Sequence, residues 1–164
     1  TGCSSGIGFC LAHGLRSAGY RVFATARKEK DIIKLKELGF EVFLLDLASS
    51  SSIKTAISEL YQKTDSLYAL INNGAYGQVG ALEDISRETL EKQFQVNVFG
   101  WHELTNLVLQ SMKERNIGRV IYISSVLGFV AMPFRGPYVA SKFAIEGLVD
   151  TLRLELKQTK IKLI

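Results

Sequence analysis

Short β-branched or aromatic runs alternate with helix-period segments along the whole chain, and this alternation limits the fold more than any other feature. Strands are read at 21–25 (RVFAT), 41–45 (EVFLL), 68–72, 119–124 and 161–164. Between them apolar and small residues recur at helical spacing, as Ile7, Cys10, Leu11, Gly14, Leu15 and Ala18 do before the stop signal Gly19. The spacing predicts helices over 6–18, 28–38, 52–63, 88–115 and 138–158, with Ser86 placed to cap the fourth. The strands are continuously apolar, so both faces of the sheet must be covered, which implies a parallel, doubly wound α/β sheet. No linker, repeat or low-complexity tract interrupts the pattern, and residues 1–164 are expected to belong to a single domain.

Composition removes several other classes. The 164 residues are 47% hydrophobic and 22% charged, with 14 Gly, 2 Pro and 2 Cys, which excludes collagen-like, disordered and disulfide-stapled chains. No apolar run approaches the roughly 20 residues of a membrane span, and the cysteines lack metal-ligand spacing. The net charge of +4 comes from lysines scattered over polar helix faces, so no nucleic-acid partner is expected.

The first helix is entered through Thr1-Gly2-Cys3-Ser4-Ser5-Gly6-Ile7-Gly8. Glycines at a helix start permit a tight turn and bring backbone N–H groups to a pyrophosphate, so this loop suits a dinucleotide; the alternative is an ordinary glycine-rich turn. Such a loop should follow a strand, which would lie before residue 1, and the chain stops at Ile164 inside an apolar run. The sequence therefore reads as a fragment lacking the first strand and the C-terminal part. In a doubly wound sheet that strand is central, so the strands at 21–25 and 68–72 are expected to lack a shared neighbour, and residues 1–164 alone are not expected to form a stable holoprotein. At the tip of the strand at 21–25 the chain reads Thr25-Ala26-Arg27-Lys28. No carboxylate stands there to bond a ribose 2′-hydroxyl, whereas Arg27 can grip a 2′-phosphate, which favours NADP(H) over NAD(H); the alternative is a solvated helix entrance.

Tyr138 and Lys142 stand four residues apart at a predicted helix start, so both project from one face. A phenol ordinarily ionises near about pH 10, and a cation about 4 to 5 Å away at an effective dielectric near 20 stabilises its anion by about 4 kcal/mol, enough to make it a working acid. Such pairs also arise by chance. Ser125 precedes Tyr138 by thirteen residues at the carboxyl end of the strand at 119–124, where open α/β sheets place ligands. Its hydroxyl is placed to polarise a carbonyl, or Ser124 and Ser125 simply cap a turn. Asn97 falls inside a long helix, where asparagine is a poor choice unless its amide is bonded or the site is exposed. Val126, Leu127, Phe129, Met132 and Phe134 offer either an apolar substrate wall or plain loop packing.

Together the glycine loop, Asp46, Asn72-Asn73-Gly74-Ala75, Asn97, Ser125 and Tyr138-Val139-Ala140-Ser141-Lys142 resemble the short-chain dehydrogenase/reductase family over essentially the whole chain. The resemblance implies a Rossmann-like fold, with Tyr138 as general acid, Ser125 on the substrate oxygen, Lys142 acting on the tyrosine and the nicotinamide ribose, and Asn97 holding a relay water. It implies cofactor contacts at Gly2, Ser4, Ser5, Gly6, Ile7, Gly8, Arg27, Asp46, Leu47, Asn73, Gly74, Tyr138 and Lys142, with Asp46 at the adenine. The family usually reads Asn-Asn-Ala-Gly where this chain has Gly74-Ala75 in that order. The segment 133–147 is similar to the branch of 17β-hydroxysteroid dehydrogenases, retinol dehydrogenases and bacterial NADP-dependent aldehyde reductases. Arg135 stands where fatty-acid 3-oxoacyl reductases usually have glutamine, which makes an acyl-carrier substrate a poor fit. The expectation is an NADP(H)-dependent reductase of a hydrophobic aldehyde or ketone, homodimeric or homotetrameric, cytoplasmic and acting on a small molecule. The rivals are a non-catalytic NADP(H) sensor, an epimerase or dehydratase, and a hydroxysteroid or retinol-type alcohol dehydrogenase working oxidatively.

Overall fold

A computed structural model describes residues 1–164. In chain order it contains α1 (Gly6–Ser17), β1 (Phe23–Ala26), α2 (Glu29–Glu37), β2 (Glu41–Leu44), α3 (Ser50–Tyr61), β3 (Ala69–Asn72), α4 (Arg87–Phe94), α5 (Trp101–Arg115), β4 (Gly118–Tyr122), α6 (Gly136–Glu155) and β5 (Ile161–Leu163). All strand pairs are parallel, as the continuous apolar strands require. Serines start two of the helices: Ser49 Oγ accepts from the Ser52 N–H at 3.2 Å, and Ser86 Oγ from the Thr89 N–H at 3.3 Å.

The sheet is in two pieces, β1–β2 and β3–β4–β5, as expected for strands without a shared neighbour. A cavity of about 580 Å³ separates them, walled by apolar side chains such as Leu11, Leu15, Phe43, Leu60 and Leu70. The start of the chain spans its end. The Thr1 nitrogen donates to the Ile71 carbonyl of β3 at 2.7 Å, and the Cys3 N–H donates to the Thr25 carbonyl of β1 at 2.8 Å. The larger core packs α3, α5 and α6 on the three-stranded sheet around Trp101, Val108, Met112, Val120 and Ile145; a smaller one joins α1 and α2 to β1. The chain covers about three fifths of the length of the curated relatives it matches.

One element departs from expectation. The single helix predicted over 88–115 is α4 and α5 joined by a π-helical stretch, Gln95–Gly100. Two contacts with distant parts of the chain fall on it: Asn97 bonds the Tyr76 backbone with its amide, and Gly100 presses on the Leu47 carbonyl so closely that a methyl there would overlap it. Smaller differences lie at element ends. The strand expected to reach 124 ends at Tyr122, and α6 starts two residues earlier than read, with Pro137 in its first turn.

Candidate active site

A cavity of about 500 Å³ opens at the carboxyl ends of β3 and β4, between the glycine turn and the start of α6. Its walls include Ile7, Asn73, Tyr76, Ser124, Tyr138 and Lys142. The turn is shaped by what its glycines touch. Gly2 has φ +67° and sits so near Gly74 that an added Cβ would lie 2.6 Å from its Cα. Gly8 is packed under Gly2, where an added Cβ would lie 2.5 Å from Asn73 Nδ2. Asn73 Nδ2 ties the turn to β3 by donating to the Thr1 carbonyl at 2.9 Å and the Gly2 carbonyl at 3.3 Å. Ser5 precedes α1 in extended conformation without a side-chain bond to the first turn, so that turn offers its N–H groups to an anion.

The reversed Gly74-Ala75 order has a structural basis. The Gly74 N–H donates to Thr1 Oγ1 at 2.9 Å, its carbonyl accepts from Trp101 Nε1 at 2.7 Å, and a Cβ there would meet Leu47 Cδ1 at 3.1 Å. Ala75 is exposed and lines the cavity. Asp46 folds back on itself, accepting from the Ala48 N–H at 3.0 Å, and Leu47 is buried behind it. Arg27 is exposed and has no ion-pair partner; its charge reaches the Tyr76 phenol, where it opposes the upward push that desolvation exerts on that group.

Tyr138 and Lys142 share one face of α6, and the Lys142 Nζ lies 5.6 Å from the tyrosine ring centre. The ammonium is buried, donates to the Ile123 carbonyl at 2.8 Å, and lies 4.4 Å above the centre of the fully buried Trp101 ring. Desolvation lowers its pKa from 10.5 to about 8, against the raising charge of Glu146. Asn97 is fully buried: its Oδ1 accepts from the Tyr76 N–H at 3.2 Å, and its Nδ2 donates to the Tyr76 carbonyl at 2.9 Å and Ser141 Oγ at 3.1 Å. Both amide hydrogens are thereby spent on protein, leaving an Oδ1 lone pair for any water.

The two serines are placed differently. Ser124 lines the cavity with a buried hydroxyl lacking a partner, while Ser125 stands just outside that lining, its Oγ accepting from the Leu127 N–H at 3.1 Å. A hydroxyl that accepts retains its own hydrogen, so Ser125 still has a proton to donate. Of the five apolar residues read as a substrate wall or as loop packing, Leu127 and Met132 line the cavity, and Val126, Phe129 and Phe134 are exposed by 72%, 70% and 64%. Phe134 takes φ +61° because its carbonyl turns to accept from the Gly80 N–H. The sequence reading names Ser141 only within the Tyr138–Lys142 segment and does not single out Gln93 or Trp101, which the structure shows fully buried.

No helix is long and apolar enough to cross a membrane. The family model described as short chain dehydrogenase matches residues 1–164. The chain is 43% identical over 163 residues to an uncharacterized oxidoreductase, YbbO, of Escherichia coli strain K12, covering 99% of this chain and 61% of that protein. It is 36% identical to a 3-ketodihydrosphingosine reductase of Bacteroides thetaiotaomicron, over 99% of this chain and 59% of that one. Among solved structures, an actinorhodin polyketide ketoreductase variant with NADPH superposes with TM-score 0.90 at 31% identity, covering 98% of this chain and 64% of that one. With the match running unbroken from the glycine turn to the last strand, the chain belongs to the short-chain dehydrogenase family.

Proposed function

We propose that the protein containing this chain is an NADP(H)-dependent reductase that converts a hydrophobic aldehyde or ketone to an alcohol. The observation that carries this reading is one cavity walled by Tyr138, Lys142, Asn73 and Ile7, which puts a phenol and a buried ammonium beside an anion-accepting helix start. The residues fit the cofactor: the first turn of α1 would take the pyrophosphate, exposed Arg27 would hold a 2′-phosphate, Asp46 and Leu47 would border the adenine, and Lys142 would bond the ribose. When bound, the nicotinamide would supply the hydride for the carbonyl carbon.

The chain's own residues handle the oxygen. Ser125 donates its hydrogen to the carbonyl oxygen and holds it toward Tyr138, which releases its proton to that oxygen as the alcohol forms. Lys142, fixed by the Ile123 carbonyl and the Trp101 face, stands beside the resulting phenolate until a solvent proton restores it. Two similar proteins support the direction and the chemistry, one by its name as a 3-ketodihydrosphingosine reductase and one by its bound NADPH. Exposed Phe99, Phe143, Leu148 and Leu154 on the α5 and α6 side support assembly into a homodimer or homotetramer.

The test uses the full-length protein with NADPH and a set of aromatic and aliphatic aldehydes. Tyr138→Phe is expected to lose turnover by at least about 100-fold while binding NADPH as the parent does. Equal turnover in that variant refutes the assignment.

A further inference from the structure

Tyr76, Gly77 and Gln78 belong to no helix or strand; Tyr76 and Gly77 form part of the cavity wall, and Gly77 lies against the tyrosine that the proposed mechanism uses. An added Cβ at Gly77 would lie 3.3 Å from Tyr138 Cδ2 and 3.4 Å from its Cγ, so there is little room for a side chain between the strip and the ring. Two buried amides hold this strip. Gln93, fully buried on α4, accepts from the Gln78 N–H at 2.7 Å and donates to the Tyr76 carbonyl at 2.8 Å. Asn97, four residues on, bonds the N–H and carbonyl of Tyr76 and passes the connection to Ser141, whose hydroxyl donates to the Tyr138 carbonyl at 2.7 Å. The tyrosine is thus held through its ring by the strip and through its backbone by the Asn97–Ser141 link.

We propose that Gln93 is a positioning residue for Tyr138, acting by pinning the Tyr76–Gln78 strip against the phenol ring. The proposal rests on the reading of Tyr138 as the proton donor. Burying a glutamine amide is costly unless its groups are bonded, and here the amide is bonded only to main-chain groups of this strip. Asn97 alone cannot do the work, because it reaches Tyr76 and leaves Gln78, on the far side of Gly77, unheld. A ring contact fixed at both ends sets where the hydroxyl hydrogen lies, and misplacement by about 1 Å costs up to about 100-fold in rate.

The experiment compares full-length wild type, Gln93→Met, Gly77→Ala and Tyr138→Phe. Hydrogen exchange of the peptide containing residues 76–78 needs no substrate: wild type is expected to be protected, and Gln93→Met to exchange about tenfold faster, the order one hydrogen bond carries. With NADPH and 4-nitrobenzaldehyde, Gln93→Met and Gly77→Ala are expected to lose kcat by about tenfold or more, while the dissociation constant for NADPH stays at the parent value. Gly77→Ala leaves both amides in place and alters an exposed position, so it carries the test if Gln93→Met fails to fold. Unprotected exchange in wild type, or parental kcat in Gly77→Ala, overturns the proposal. If Tyr138→Phe is inactive while Gln93→Met and Gly77→Ala turn over as the parent does, the reductase reading stands and the role of Gln93 falls. If Tyr138→Phe turns over normally, the reductase assignment itself has failed.

Discussion

Replacing Gly8 by alanine isolates the role of the glycine turn. Its added methyl would lie 2.5 Å from Asn73 Nδ2 and 2.9 Å from the Gly2 carbonyl carbon, and would overlap the Gly2 carbonyl oxygen. Ordinary contact begins near 3.4 Å, so the turn has to back away by about 1 Å. That movement pulls the Gly2 and Thr1 carbonyls off Asn73 Nδ2, which binds them at 3.3 and 2.9 Å. Losing these bonds and overpacking the site costs about 2 to 4 kcal/mol of stability, read as a lower melting temperature of the full-length protein. The same shift moves the first-turn N–H groups relative to a pyrophosphate, and NADPH affinity in a fluorescence titration is expected to fall by about 100-fold. Gly6→Ala separates strain from packing: nothing lies within 4 Å of its added methyl, so the Asn73 bonds are kept, but φ is +57°, which costs about 1 to 2 kcal/mol through backbone strain. An NADPH affinity for Gly8→Ala within about twofold of the parent would refute the packing argument.

Further tests address the other parts of the site. Ala26→Asp puts a carboxylate beside Arg27 and is expected to raise the NAD(H) to NADP(H) preference by about tenfold or more, measured as the ratio of kcat/KM values. Ser125→Ala is expected to lower kcat by about 100-fold and Ser124→Ala by only a few-fold; the reverse order would move the oxygen-holding role to Ser124. Lys142 loses its proton near pH 8 in the folded protein but near 10.5 when unfolded, so NADPH binding to the apo protein should weaken as pH rises through about 8. Between those values the unfolded chain holds more protons, so this group alone makes stability rise with pH, and Lys142→Met should flatten that part of the melting profile. Residues 1–164 expressed alone are expected to melt without a cooperative transition, since a 580 Å³ apolar gap divides their sheet.

The parallel α/β order was legible because each strand and helix is written in its own residues, and the glycine turn because its chemistry is local. The tyrosine–lysine pair was legible for the same reason, since four residues along a helix fix a shared face. The π-helical turn was not, because it answers to groups elsewhere in the chain: the Tyr76 backbone that Asn97 bonds and the Leu47 carbonyl that Gly100 abuts. Gln93 is in sequence one more polar residue on a polar helix, and its bonds to the Gln78 and Tyr76 backbone account for its burial. Trp101 reads as an ordinary core aromatic until the Lys142 ammonium is found over its face. The two readings of the apolar residues between Ser125 and Tyr138 divide, with Leu127 and Met132 on the cavity and Val126, Phe129 and Phe134 exposed, a split that composition alone cannot make.

The stitching of Thr1 to β3 and of Cys3 to β1 makes the glycine turn a hinge pin between two half-sheets. On the proposed reading of that turn as a dinucleotide site, a change in the spacing of the halves moves the pin and alters the grip on the nucleotide. Thermodynamic reciprocity then requires the converse: a captured nucleotide biases the spacing of the halves by the same factor.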